Sequence, residues 1–180
     1  MKKKILALLL VLLPASLALA DDELQASRVT HATRFARWQT MVGVITAQNV
    51  SNPISANIDS GTFAWSARGG RAFVNLDNGT TSFAVDGLVI NGTSFSGTPG
   101  PVTAVTGTLV CNPGDPEEAA LDTRAVTLNS RGDAAFVGHL QNLPETCANP
   151  LFLIRIATPA GAAGRWIATG ADRFIGGRRQ

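Results

Sequence analysis

The sequence predicts an all-β domain: an antiparallel β-sandwich, immunoglobulin-like or jelly-roll-like, of about nine strands after a cleaved signal peptide. Three observations predict it. From Trp38 onward, short apolar runs with period two are separated by clusters of Gly, Pro, Asn and Asp, the pattern of half-buried strands and their turns. The first twenty residues have the three-part form of an export signal. Only two cysteines occur, Cys111 and Cys147, and in an exported chain such a pair is far more often joined than free.

The signal reading covers residues 1–20. Lys2, Lys3 and Lys4 form a basic start, Ile5 to Leu13 is unbroken and apolar, and Ala18-Leu19-Ala20 offers a small-x-small cleavage site before Asp21. The apolar run is far shorter than the roughly 20 residues a spanning helix needs, and no cysteine follows it to carry a lipid. The expected product is therefore secreted or periplasmic, with no stable membrane insertion after signal cleavage. Cleavage also changes the charge. The three lysines are the only ones among the 15 basic residues, so twelve arginines face 13 acids and the formal charge of +2 becomes −1. A near-neutral domain has no broad basic surface for phosphate backbones, which argues against a nucleic-acid partner.

Residues 21–37 form a loose lead-in. Val29, Ala32, Phe35 and Ala36 fall at helical spacing, so 28–37 is either one short helix or irregular. The domain proper is expected over 38–170, with strands at 38–46, 62–67, 71–76, 81–90, 102–111, 124–128, 134–140, 151–157 and 165–169. The clearest local signal is Asp77-Asn78-Gly79, between Ala72, Val74, Leu76 and Thr81, Phe83, Val85; it marks a hairpin whose turn tolerates positive φ. Alternation places Cys111 on one face with Val105, Gly107 and Leu109, which directs it inward. Both faces of 151–157 are apolar, as a central or doubly covered strand requires. Long loops are expected at 47–61, 91–101 and 112–122, and residues 171–180 read as a C-terminal tail.

The disulfide expected between Cys111 and Cys147 would close a span of 36 residues, for which the chain-entropy model gives about 4 kcal/mol; the alternative, a reactive thiol or a metal-ligand pair, lacks the basic group or further ligands it needs. Catalytic motifs are missing. Gly92-Thr93-Ser94-Phe95-Ser96 starts like a nucleophile elbow but lacks the closing glycine. His31 lies in the lead-in, and His139 shares a strand face with Asp133, Ala135 and Val137, which reads as a surface histidine. The pairs Glu117/Glu118 and Asp86/Asp133 are the carboxylates a small hydrolase would need, and their convergence in one cleft would favour that rival. Asn75, Asp77 and Asn78, and separately Asp115, Glu117, Glu118 and Asp122, supply oxygen ligands without the spacing of a calcium loop. No residue is assigned as catalytic, cofactor-binding or metal-ligating. Asn49, Asn78 and Asn91 match the three-residue glycosylation pattern, which recurs by chance. Trp38, Trp65 and Trp166 could stack on a ligand, but the apolar neighbours sharing their strand faces favour core packing.

Val74 to Leu76, Phe83 to Leu88, Thr108 to Cys111, Cys147 to Arg155 with Pro150, and Trp166 to Ala168 together resemble a layout found among bacterial secreted, disulfide-stapled β-sandwich proteins. The resemblance spans about Met41 to Thr169 and implies a fold without a known activity. The segment Gly61 to Leu88 is also similar to chordin-type secreted β domains, although the His-x-His segment expected after the hairpin is missing here, and with it any metal role. The sequence thus points to a non-catalytic envelope or extracellular domain, binding or structural, with an unknown ligand. The alternative is a secreted hydrolase using loop carboxylates.

Overall fold

The computed structural model describes residues 34–158 and 160–177. Residues 1–20, expected to be a signal, most of the lead-in and His31 lie outside the described residues. Among those described, the secondary structure is entirely β, as the patterning requires. Eleven strands follow in order: β1 (Phe35–Gly43), β2 (Trp65–Ser66), β3 (Gly69–Asn75), β4 (Thr80–Asp86), β5 (Val89–Ile90), β6 (Ala104–Cys111), β7 (Ala119–Asp122), β8 (Val126–Thr127), β9 (Ala134–His139), β10 (Leu151–Ala157) and β11 (Ala163–Gly176). Every ladder is antiparallel.

Nine strands join in one sheet, in the order β7-β6-β10-β11-β1-β3-β4-β9, with β8 paired to β6; β2 and β5 form a separate short ladder. The large sheet curls until β8 lies beside β9. The curl lets strands far apart in the order meet across a shared interior. Phe83 of β4 and Phe152 of β10, far apart in strand order, meet with ring centroids 5.8 Å apart, and Trp38 of β1 closes on Phe152 at 5.5 Å. These rings fill the interior of the curled sheet together with Val74, Val85, Leu109 and Ile154, all fully buried.

The 3–4 hairpin forms as its sequence dictates. Ala72 pairs with Phe83 and Val74 with Thr81, so the apolar set faces inward. Asn75 Oδ1 accepts from the backbone N–H of Asp77 (2.9 Å) and of Asn78 (3.1 Å), and Gly79 takes φ 77°. An Asn side chain mimicking a backbone turn, followed by glycine in the left-handed region, reverses the chain at low strain. Asp77 has a second task, accepting from the backbone N–H and the Nε of Arg34, each at 2.8 Å.

Strand β10 is central, between β6 and β11, and Phe152, Leu153 and Ile154 are all fully buried, as its doubly apolar pattern requires. Segment 47–61 is tied to β11 and to Glu118, just before β7. Trp166 Nε1 donates to Asn52 O at 3.1 Å, Gly61 N–H donates to Trp166 O at 2.8 Å, and Ser55 Oγ donates to Glu118 Oε1 at 2.7 Å.

Several expected boundaries change. Strand β1 begins at Phe35, so Phe35 to Arg37 are extended rather than helical: pairing with β3 on one side and β11 on the other overrides their local spacing. The last strand runs to Gly176, with Phe174 opposite Arg37, so residues 171–176 are ladder and not tail. The expected loop 112–122 contains β7, paired to the outer end of β6. The run 81–90 divides into β4 and β5, because Gly87 at φ 60° turns the chain between them. The expected strands 62–67 and 124–128 contract to the two-residue β2 and β8.

Candidate functional site

The short β2–β5 ladder builds one end of the domain. Trp65 N–H donates to Val44 O at 2.9 Å, and Asn91 N–H donates to Ala64 O at 2.8 Å. These bonds tie the loops on either side, 47–63 and 91–102, to the ends of the main strands. Between the two loops lies a cleft of about 520 Å³, within the range of small-molecule sites. Its floor is Trp65 and Ile90, both buried, and Phe63, Val102 and Ile156 pack at its sides.

Phe95 forms the outer lip and is 51% exposed. A large ring on a Gly-Ser-Thr-Pro loop would ordinarily be mobile, but this loop is heavily bonded to itself. Phe95 N–H donates to Thr93 Oγ1 at 3.0 Å, Thr98 N–H donates to Phe95 O at 3.0 Å, and Gly97 N–H and Ile90 N–H close on Ile90 O and Thr98 O at 3.0 and 2.9 Å. Gly100 completes the turn at φ 59°, where a Cβ would stand 2.9 Å from Ile90 Cδ1 and 3.3 Å from the Phe95 side chain. Only glycine provides both the conformation and the clearance. The loop that carries the aromatic lip is thus held by bonds made in advance.

Arg165 is the one charged residue lining the cleft. Its Nη1 donates to Ser60 O at 2.8 Å and to Asp59 Oδ2 at 3.4 Å, and the side chain is about half exposed. Gln48, Thr62, Thr93 and Ser94 add neutral polar groups. A smaller recess shares Gln48 and Phe63 with the cleft and extends toward Asn91 and Gly92. Such an arrangement can hold an apolar group by burial and orient it through a few polar contacts.

The carboxylates do not converge. Asp133 accepts from Gly87 N–H at 3.0 Å, Asn129 Nδ2 at 3.2 Å, Arg131 Nε at 3.1 Å and Arg68 Nη2 at 3.4 Å. The Gly87 N–H, then Asn129 and Arg131, hold its pKa below the ordinary value, and partial burial opposes them without prevailing. Asp86 lies next to it, one register step beyond the Val85–Ala134 pair. Both sit near the Ala104 end of β6, because Ala104 pairs with Thr127 and the 129–133 turn follows directly. Glu118 is instead committed to Ser55 Oγ and the Gly114 N–H at the Cys111 end, where β7 begins. The two pairs are separated by the length of an eight-residue strand, about 23 Å.

The other sequence candidates occupy structural places. His139 is exposed and lies 3.3 Å from Thr80 Oγ1. Asn75 and Asp77 serve the hairpin, and Asp115 Oδ1 accepts from Glu117 N–H at 2.9 Å. Among the described residues, no group of three or more His, Cys, Asp or Glu is placed to hold a metal ion, and no helix is long and apolar enough to cross a membrane. Trp38, Trp65 and Trp166 are all buried, and Trp65 is also cleft floor. Cys111 and Cys147 are bridged with Cα atoms 4.6 Å apart. Beside them Asn112 N–H donates to Ala148 O at 3.0 Å, and Ala148 N–H donates to Asn112 Oδ1 at 2.8 Å.

Phe95 and Arg165 are the residues sequence reasoning passed over. An isolated ring in a polar loop was the available signal for the first. Arg165 carried none, since its place in the cleft depends on the long-range bonds to residues 59 and 60. No protein-family model, no curated protein and no solved structure matches the chain.

Proposed function

We propose that the mature chain is an exported, non-catalytic binding domain of the cell envelope or extracellular space, and that its ligand enters the cleft between loops 47–63 and 91–102. The observation that carries the reading is the Phe95 ring, half exposed and lining an apolar cleft from a loop whose backbone is held by its own hydrogen bonds. An exposed ring on a loop already ordered in this way contributes burial on binding without the cost of ordering the loop backbone. Export rests on the signal-like residues 1–20, and the Cys111–Cys147 bridge supports it, since such bridges persist in oxidising compartments. The hydrolase alternative loses its chief support because its two carboxylate pairs lie at opposite ends of β6.

Binding of the neutral apolar fluorophore N-phenyl-1-naphthylamine tests the cleft. The expected result is a saturable signal from the wild type that falls about tenfold or more in affinity in Phe95→Ala, with the melting temperature nearly unchanged because the ring is half exposed. Equal binding by both proteins would overturn the assignment. Intact mass of the protein recovered from expressing cells tests export: a chain beginning at Asp21 and lacking free thiols is expected, and an intact Met1 form with two free thiols would sink it.

A further inference from the structure

We infer that the cleft selects ligands in which an apolar body, aromatic or branched aliphatic, carries one anionic oxygen group, and that Arg165 receives that group. This rests on the cleft being the binding site. The apolar walls define one half of the ligand, and the charge distribution defines the other. No Asp or Glu lines the cleft, so the arginine is not neutralised from within it. The acid it meets, Asp59, is not among the cleft-lining residues and engages Nη1 at the long distance of 3.4 Å.

The donor geometry is specific. Among the described residues, both hydrogen bonds of the Arg165 side chain, to Ser60 O and Asp59 Oδ2, use Nη1. Among the described residues its Nε and Nη2 donate to nothing, which leaves N–H groups of the planar fork free beside an apolar wall. A carboxylate, sulfonate or phosphate accepts from such a fork through two oxygens, and the pairing strengthens where water is partly excluded. Ser60 O and Asp59 meanwhile hold the guanidinium in place, so a ligand meets a positioned cation instead of a free side chain. A neutral ligand of the same shape would fill the walls and leave the fork unused.

A matched pair of probes tests this, 1-naphthaleneacetate and its neutral amide, titrated by tryptophan fluorescence against the disulfide-bonded protein recovered from expressing cells. The wild type is expected to bind the acid about tenfold or more tightly than the amide, with the preference shrinking as salt rises. In Arg165→Gln the preference should fall to within about twofold, through a larger loss for the acid than for the amide, and Arg165→Lys should retain part of it. Asp59→Asn should keep the preference or increase it, since a competing carboxylate is removed. A melting curve of each variant confirms that loop 47–61 is still held. Equal binding of acid and amide by the wild type overturns the inference and leaves the cleft as a site for neutral apolar groups. Equal loss of both probes in Arg165→Gln also overturns it, because the arginine would then act only as a clamp on the loop. Failure of both probes to bind the wild type removes the cleft reading itself.

Discussion

The ring of Phe83 occupies the place where a side chain on Gly107 would have to stand: a Cβ there would lie 2.6 Å from the ring's Cε1. Phe152 approaches the same point from another side, its Cζ 2.8 Å away. Gly107 belongs to β6, Phe83 to β4 and Phe152 to β10, so the missing side chain lets the curled sheet bring these strands together around two buried rings. Gly107→Ala is expected to destabilise the domain by about 1–3 kcal/mol, the usual cost of overpacking a core. A smaller entropic gain from replacing glycine acts in the opposite direction. Urea denaturation reads the difference, and Phe83→Leu added to Gly107→Ala should recover part of it. A Gly107→Ala midpoint equal to or above that of the wild type would show that the rings move aside freely.

The bridge between Cys111 and Cys147 closes a loop of 36 residues that includes β7, β8 and β9. The double variant Cys111→Ser/Cys147→Ser is expected to lose about 4 kcal/mol, mostly by freeing the unfolded chain. The paired bonds between Asn112 and Ala148 should keep the native geometry once the variant folds. Equilibrium unfolding under identical conditions is the check, and a loss below about 1 kcal/mol would mean that the unfolded chain is already constrained in this region.

Asp133 gives the acid limb of stability a defined sign. Its folded-state pKa lies below the ordinary 3.8, with the Gly87 N–H as the largest cause. Near that pH the unfolded chain therefore binds more protons than the folded one. The carboxylate's contribution is complete above the unfolded value and disappears as pH falls through the folded value. Asp133→Asn, whose side-chain oxygen can still accept from Gly87, should show a flatter dependence of unfolding free energy on pH below about 4. Urea unfolding from about pH 6 to about pH 2 measures both slopes. Identical slopes would assign the acid sensitivity to other carboxylates.

Local alternation was enough to place the 3–4 hairpin, the inward direction of Cys111 and the double burial of β10, because each depends on residues within one strand or one turn. What the sequence hid was set by partners distant in the chain. Phe35 to Arg37 look helical until β3 and β11 pair with them, and β7 lies in a Pro-Gly-Glu stretch with few strand formers. Tertiary pairing overrides weak local preference in both places. The candidate site was less legible still. Its floor was visible as Trp65 in a strand, whereas the lip depends on the turn chemistry around Phe95, and the cation reaches the cleft only through the contacts of Arg165 with residues 59 and 60.

The final stretch of β11 offers the sharpest test of such long-range pairing. Residues 173–176 pair with β1 from Trp38 back to Phe35, and Phe174 stands 5.9 Å from Phe35, which in turn lies 5.8 Å from Phe73 of β3. Arg173 Nη1 also donates to Pro150 O at 2.7 Å, joining this end to the start of β10. Removing residues 172–180 would strip the start of β1 of one neighbour and leave unpaired N–H and C=O groups along it. With several ladder bonds lost at roughly 0.5–1.5 kcal/mol each, the expected cost is about 2–4 kcal/mol, accompanied by self-association through the new edge. Phe174→Ser keeps the ladder and removes only the ring contact, so its cost should be smaller, about 0.5–1.5 kcal/mol. Urea midpoints and light scattering of the two variants separate the contributions. A truncated chain as stable and monodisperse as the wild type would refute the pairing of β1 with the end of β11.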